Sequence, residues 1–188
     1  MRFVRLYLLL ASLFVSSAAL GACGDDPLFP DVLLVVDTVT LTVPGADRAS
    51  ALDLARVQPP YTLLRRPELV RDASAWDFAL RRTEAGLALR PYDAPGSPYR
   101  GAGIAVASED FDRINEAPRA NNRYSQEMAP VAAGTVWYMR SRQFPSNTGG
   151  ICLKYAKAKA LEVDAAAGTV KMVVALNDNC DDERLEAD

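Results

Sequence analysis

The stretch KYAKAKALEVDAAAGTVKMVVALNDN, residues 154–179, decides the fold that the sequence predicts. Two runs of alternating character flank the turn-like segment DAAAGT, Asp164–Thr169, and this is the pattern of a β-hairpin. If the hairpin is centred on Ala166, Ala158 lies opposite Val174 and Val163 lies opposite Thr169. The chain is therefore predicted to build its core around an antiparallel pair of long strands.

This register also sorts the side chains and pairs two cysteines. Apolar residues share one face of the predicted hairpin: Ala156, Ala158, Ala160, Val170, Met172, Val174 and Leu176; Lys157, Lys159 and Lys171 share the other. Cys152 falls opposite Cys180, so we expect a disulfide, which by closing about 29 residues contributes roughly 3 to 4 kcal/mol. The alternative is that the two residues are unpaired buried thiols.

Further strands are predicted wherever period-two patterns lie between turn residues. They are DTVTLTV (Asp37–Val43), WDFALRR (Trp76–Arg82), GLALR (Gly86–Arg90) and GTVWYMRSR (Gly134–Arg142), whereas Arg48–Val57 fits either a strand or a helix. SEDFDRINEA, Ser108–Ala117, has the strongest helix signal outside the leader, with Ser108 as N-cap and Pro118 ending it. The predicted fold is one mainly β, antiparallel domain with one or two short helices.

The first 22 residues have the pattern of an export signal. A basic start is followed by an apolar run from Leu6 to Leu20, and this run of about 15 residues is too short to span a bilayer. Its end, Leu20-Gly21-Ala22-Cys23, resembles the lipobox of bacterial lipoproteins, in which the cysteine thiol is acylated with diacylglycerol, the signal is cut before the cysteine, and the new amino terminus is usually acylated as well. The alternative is an ordinary secretory signal cut after Ala19 or Ala22, which leaves Cys23 free.

The lipobox resemblance, the strand pattern and the acidic C-terminus together predict four segments, and the lipobox also predicts a location. Residues 1–22 would be the signal peptide, 23–31 a lipidated tether, 32–180 the β-rich domain and 181–188 a solvated acidic tail. Two or three acyl chains on Cys23 hold a protein on a membrane essentially permanently. Gly24 follows the cysteine, which by the sorting rule of enteric lipoproteins favours the outer membrane, at its periplasmic face or at the cell surface.

Composition narrows the function classes. The chain has 21 basic and 24 acidic residues, and no basic patch is interleaved with aromatic residues, so nucleic acid is not an expected partner. It contains no histidine, which excludes bis-histidine haem ligation, histidine-based catalytic triads and most zinc sites. No spacing of serine and lysine indicates a nucleophile with its base, and Asp77, after Trp76, is read as an exposed or hydrogen-bonded aspartate. We expect neither enzymatic activity nor a metal site.

The order of several segments resembles the HmuY-like family of bacterial lipoproteins. The segments are ASALDL (49–54), AWDFALRR (75–82), GAGIAV (101–106), GTVWYMR (134–140) and the hairpin, covering about residues 49–176. The resemblance implies a β-rich fold and haem binding outside the cell or in the periplasm, with two axial ligands that are histidine or, in some members, methionine. The chain departs from the family in lacking histidine and an Asn-Gly pair after the Trp-Asp strand.

Methionine and tyrosine are the remaining candidates for a haem ligand. Met128 and Met139 are candidate ligands, as is a tyrosine such as Tyr124 or Tyr138, although either methionine could instead fill a gap between strands. Met172 lies on the packed face of the hairpin and is predicted to be a core residue. The predicted function is a non-enzymatic, membrane-anchored, haem-binding lipoprotein that works with an outer-membrane receptor or another envelope protein. The alternative is a structural or protein-binding envelope lipoprotein that keeps the fold without binding haem.

Overall fold

The computed structural model describes residues 31–45, 47–55, 62–93, 96, 100–146 and 149–186. The predicted signal peptide, Cys23 and all of the tether except Asp31 lie outside the described residues. From Val32 onward the chain forms one compact unit, which confirms the prediction of a single domain. Within the described part, no helix has the length and apolar character needed to cross a membrane.

Antiparallel strands dominate the structure, as predicted. The strands are β1 (Leu34–Thr42), β2 (Ala51–Leu52), β3 (Leu64–Arg65), β4 (Phe78–Thr83), β5 (Gly86–Pro91), β6 (Gly103–Val106), β7 (Ala129–Pro130), β8 (Val136–Arg140), β9 (Phe144–Pro145), β10 (Ile151–Cys152), β11 (Tyr155–Asp164) and β12 (Thr169–Asn177). The first sheet has the order β1-β12-β11-β8-β6, and the second has the order β3-β2-β4-β5-β7. β9 and β10 form a separate pair.

The main core contains side chains from both sheets. The first sheet contributes Val39, Leu41, Ile104, Trp137, Met139, Ala156, Ala158, Ala160, Val170, Met172, Val174 and Leu176, and the second contributes Leu52, Phe78, Leu80, Leu87, Leu89 and Ala129. Every apolar residue that the sequence assigned to the inner face of the hairpin lies in this cluster. Burial of this apolar area at roughly 25 cal/mol per Å² is the main stabilising contribution.

The hairpin register is confirmed over most of its length and differs near the turn. Ala158 pairs with Val174 as predicted, whereas Val163 pairs with Val170 rather than with Thr169. The shift arises from a β-bulge between Ala160 and Glu162, which adds one unpaired residue to β11. The bulge leaves the inner face of the hairpin intact because it follows the last of the buried alanines.

The disulfide between Cys152 and Cys180 is confirmed. Their Cα atoms are 5.1 Å apart, and the bond joins the chain just before β11 to the chain just after β12. Leu153 and Asp181 continue the connection, because the Asp181 amide donates to the Leu153 carbonyl at 2.8 Å. The disulfide therefore closes the open end of the hairpin.

The predicted helix over Ser108–Ala117 is wrong. The structure has only a 3₁₀ turn at Phe111–Arg113, preceded by Asp110 in an extended conformation and followed by Ile114, also extended. Ile114 and Ala117 are buried against the outer face of the first sheet, next to Tyr138 and Tyr155. An extended segment brings these two side chains onto the sheet, so tertiary packing overrides the local capping signal.

The C-terminal segment is not the solvated tail that the acidic sequence predicted. Leu185 is fully buried and Glu183 is largely buried, and the Leu185 amide donates to the Asn115 carbonyl at 2.7 Å. Asn177 at the end of β12 donates through Nδ2 to the carbonyls of Asp182 and Arg184, at 3.3 and 2.9 Å. The β domain therefore extends through the last described residue, Glu186.

Both faces of β4 are buried over its first three residues, which the alternating pattern of Trp76–Arg82 did not predict. Phe78 and Leu80 point into the main core, whereas Ala79 packs with Trp76 and Ala51 in a small cluster on the other face of the second sheet. Ala51 lies in β2, so within the ambiguous segment 48–57 the described residues contain a short strand.

Candidate functional site

An open groove lies where the edge strands of the two sheets meet. Its walls come from β6, β7, Tyr138 in the middle of β8 and the segment from Pro118 to Met128, and it has a volume of about 430 Å³. Ser125 holds the segment against β6, since Ser125 and Ile104 exchange backbone hydrogen bonds of 2.9 Å in both directions. Volumes of this order are typical of sites for small molecules.

Met128 is the predicted ligand that the structure places in the groove. It lies just before β7, lines the groove and is 52% exposed, and Val106, which also lines the groove, is 67% exposed. Large apolar side chains are not exposed in this way when they serve only to fill a core. The thioether of Met128 is therefore accessible to a ligand.

Met139 lies elsewhere. It is fully buried in the main core, where its neighbours in the first sheet are Ile104 and Ala156. Successive residues of a strand point to opposite faces, so Met139 faces the core whereas Tyr138 faces the groove. The structure therefore does not bring the two candidate methionines together. Met172 is fully buried in the same core, as predicted.

The two candidate tyrosines are both held in the neutral form. Burial, followed by the hydrogen bond that Tyr138 donates to the Glu109 carboxylate, raises the pKa of Tyr138 to about 12. Burial also raises the pKa of Tyr124, and the neighbouring Tyr155 raises it further. A tyrosine that coordinates iron does so as the phenolate, so the environment disfavours both as ligands.

A second cavity, of about 530 Å³, adjoins the groove and shares Asn122, Ser125 and Glu127 with it. Its walls include Arg100 and Arg140, both of which donate to the side-chain oxygen of Asn121. The sequence did not predict this group of two arginines and an asparagine. Arg100 lies 21 positions before Asn121 and Arg140 lies 19 positions after it. The one sequence feature that could have indicated the group is Arg140, a charged residue at the end of the apolar run VWYM. All five residues of this strand are buried.

A buried ionic cluster lies between the sheets. Arg142 Nη1 is 3.1 Å from Asp53 Oδ1 and 3.0 Å from Asp77 Oδ1, and Arg65 is 3.2 Å from Asp53 Oδ2. Burial raises the pKa of Asp77 from its ordinary value, and the charge of Asp53 acts in the same direction, against the opposing effect of Arg142.

Asp77 is the hydrogen-bonded aspartate that the sequence left as one of two alternatives. Its Oδ2 accepts from the amides of Leu54 and Ala55 at 2.6 and 3.1 Å, and its Oδ1 accepts from the Arg142 amide at 2.7 Å. Neither cavity is lined by any member of this cluster, so the contacts assign it a structural role. Among the described residues, no group of three cysteine, aspartate or glutamate side chains could hold a metal ion.

Comparisons of the chain with protein-family models, with curated proteins and with solved structures each found no match.

Proposed function

We propose that the protein is a non-enzymatic, membrane-anchored binding protein of the bacterial cell envelope, and that its groove takes a flat apolar ligand, with haem as the leading candidate. The observation that carries the proposal is the accessible Met128 side chain in a groove whose walls combine apolar residues with polar ones such as Asn122 and Arg123. Haem offers a large apolar surface for burial and an iron that accepts a thioether ligand.

The donor set fits haem with one protein ligand rather than two. Met128 is accessible, whereas Met139 is fully buried on the other face of β8 and both tyrosines favour the neutral phenol. Burial of apolar surface would then provide most of the affinity, and Met128 would fix the orientation of the ligand.

The anchor rests on the sequence around Cys23, which resembles a lipobox. The compact unit begins at Val32, so about nine residues separate the acylated cysteine from the folded domain, at most about 30 Å when extended. The groove would then operate close to the membrane surface, within reach of an outer-membrane receptor.

A second candidate function is the binding of another envelope protein without haem. It is favoured by the open form of the groove and by the exposure of two large apolar side chains, Val106 and Met128, on its walls. Exposed methionines adapt to many partner shapes and are common on surfaces that bind peptides and proteins.

Titration of residues 24–188 with haemin under oxidising conditions separates the two functions. We expect a shifted Soret band that saturates at one equivalent, is altered or lost in Met128→Leu and is unchanged in Met139→Leu. The second variant is the matched control, because it makes the same substitution in the core. Absence of saturable binding would reject haem and favour the protein-binding function, and equal spectra for the wild type and Met128→Leu would reject Met128 as the ligand.

A further inference from the structure

Two arginines converge on a single neutral acceptor in the cavity that adjoins the groove. Arg140 Nη1 is 2.7 Å from Asn121 Oδ1, and Arg100 Nη1 donates to the same oxygen. Neither arginine forms an ion pair with a carboxylate of the described residues. Burial lowers the pKa of Arg140 from its ordinary value, and the nearby charge of Arg100 lowers it further.

The Arg140 side chain is buried without a compensating negative charge. It is 2% exposed, and its Nε has no hydrogen-bond partner among the described residues. Its guanidinium carbon lies 4.8 Å from the centre of the Tyr124 ring, and the Tyr124 hydroxyl is likewise buried and unpartnered. Burial of a charge and of polar groups without partners is costly, and a bound anion would compensate it.

The surrounding elements hold the backbones of both arginines in place. Arg140 is the last residue of β8, and it pairs there with Gly103 of β6 and Tyr155 of β11. The backbone of Arg100 is fixed because its amide donates to Gln143 Oε1 and its carbonyl accepts from the Gln143 amide, both at 2.8 Å. The two side chains start from fixed positions and share the Asn121 acceptor, which lowers the entropic cost of binding.

The remaining walls are mostly neutral and polar: Asn121, Asn122, Ser125 and Gln126. Glu127 is the one carboxylate on the described walls, and its exposed side chain forms no ion pair with either arginine in the described structure. The described walls therefore carry two cations without an ion pair and one solvated anion, and the local charge favours an anionic ligand.

We propose that Arg100 and Arg140 form a binding site for the oxyanion group of a small molecule, either a carboxylate or a phosphate. The planar guanidinium groups present donors in the geometry that suits both oxyanions. Arg140 and Tyr124, whose Nε and hydroxyl are buried without a partner in the described part of the chain, both line the same cavity. This site does not depend on haem or on Met128, because the methionine lines only the groove.

The test follows the arginine Nε–H resonances of the full-length protein in detergent while sodium acetate or sodium phosphate is added at constant ionic strength. We expect the Arg140 signal to shift and saturate with at least one of the two anions, which also identifies the preferred oxyanion. Arg100→Gln should raise the Kd at least about tenfold, whereas Arg71→Gln, an exposed arginine that lines neither cavity, should leave it unchanged.

Two further variants keep the test decisive. Glu127→Gln should lower the Kd, because it removes the negative charge from the wall. Arg140→Gln, followed through the Arg100 signal, should abolish saturable binding if the variant folds. If it does not fold, the comparison of Arg100→Gln with the wild type still tests the site. The proposal is overturned if neither anion saturates the Arg140 signal, if Arg100→Gln binds like the wild type, or if only phosphatidylglycerol vesicles produce the shift, since the last result would assign the site to a lipid headgroup.

Discussion

Asp77 accepts two hydrogen bonds from Arg142, one from its backbone amide at 2.7 Å and one from its guanidinium at 3.0 Å, although the residues lie 65 positions apart. Asp77 lies just before β4 of the second sheet, and Arg142 lies just after β8 of the first. The pair therefore connects the two sheets through a fully hydrogen-bonded carboxylate.

Asp77→Asn should lower the free energy of unfolding by about 3 to 5 kcal/mol. The amide NH2 would point at groups that are themselves donors, and Arg142 would lose one of its two carboxylate partners. Urea denaturation followed by circular dichroism measures the loss. Asp37→Asn, at an exposed position of β1, is the matched control and should change stability by less than about 0.5 kcal/mol. Equal effects of the two substitutions would show that the contacts between Asp77 and Arg142 do not stabilise the fold.

Replacing both Cys152 and Cys180 by alanine should lower the free energy of unfolding by about 3 to 4 kcal/mol, because the unfolded chain regains the freedom of the closed loop. Denaturant unfolding of the variant and of the reduced wild type provides two independent measurements. The two should agree closely. A reduced protein as stable as the oxidised one would contradict the prediction.

Asp182 should make the protein less stable in acid. Hydrogen bonds from the Arg184 side chain are the largest of the effects that lower the pKa of Asp182, to about 2 from an ordinary value of 3.8. A lowered folded-state pKa adds stability that is present above the unfolded-state pKa and is lost as pH falls from about 4 to about 2. After allowance for solvent screening the loss is about 1 kcal/mol.

Asp182→Asn is the variant that tests this dependence. Its stability should fall less steeply than that of the wild type between pH 5 and pH 2, on the order of 1 kcal/mol less across the interval. Parallel curves for the two proteins would contradict the assignment to Asp182.

Gly103→Ala should destabilise the protein by about 1 to 3 kcal/mol, because the added methyl group would lie 2.7 Å from Tyr124 Cβ and 3.3 Å from Arg140 Nη2. Binding of acetate or phosphate should weaken as well, since Arg140 must move. Gly150→Ala is the matched control, since its nearest new contact is Ser146 Oγ at 3.7 Å. Thermal unfolding and the anion titration together check both effects.

Cys23→Ser should release the protein from the membrane fraction, because the proposed lipid could not be attached without the Cys23 thiol. Fractionation of cells that express the two forms, with metabolic labelling by palmitate, is the measurement. Label retained by Cys23→Ser, or a wild type found only in the soluble fraction, would reject the anchor.

The hairpin was predictable because two signals agreed. The alternation of Ala156 to Leu176 and the positions of Cys152 and Cys180 indicated the same register, and a wrong register would have broken both. The bulge after Ala160 was not predictable, since one unpaired residue near a turn changes no side-chain pattern that the sequence displays.

Long-range contacts account for what the sequence did not show. Ser108–Ala117 has a capping pattern, yet it forms only one 3₁₀ turn between extended residues, because Ile114 and Ala117 pack on the outer face of the first sheet. The arginine site likewise depends on Arg100 and Arg140, which meet only after a loop folds beside β8. In both cases the deciding partner lies far away in the chain.

The pairing of β1 with β12 has a consequence for the time at which the protein can fold. β1 begins at Leu34, which pairs with Asn177 at the end of β12. The first long strand can therefore enter the sheet only when the last long strand is present. Pairings between such distant segments form slowly, because the intervening chain must first be brought together. During synthesis β1 cannot pair with its partner until β12, Thr169–Asn177, has been made. Before β1 and β12 pair, the chain remains unfolded enough to pass through a membrane channel. This suits the proposed export of the protein across a membrane before it folds.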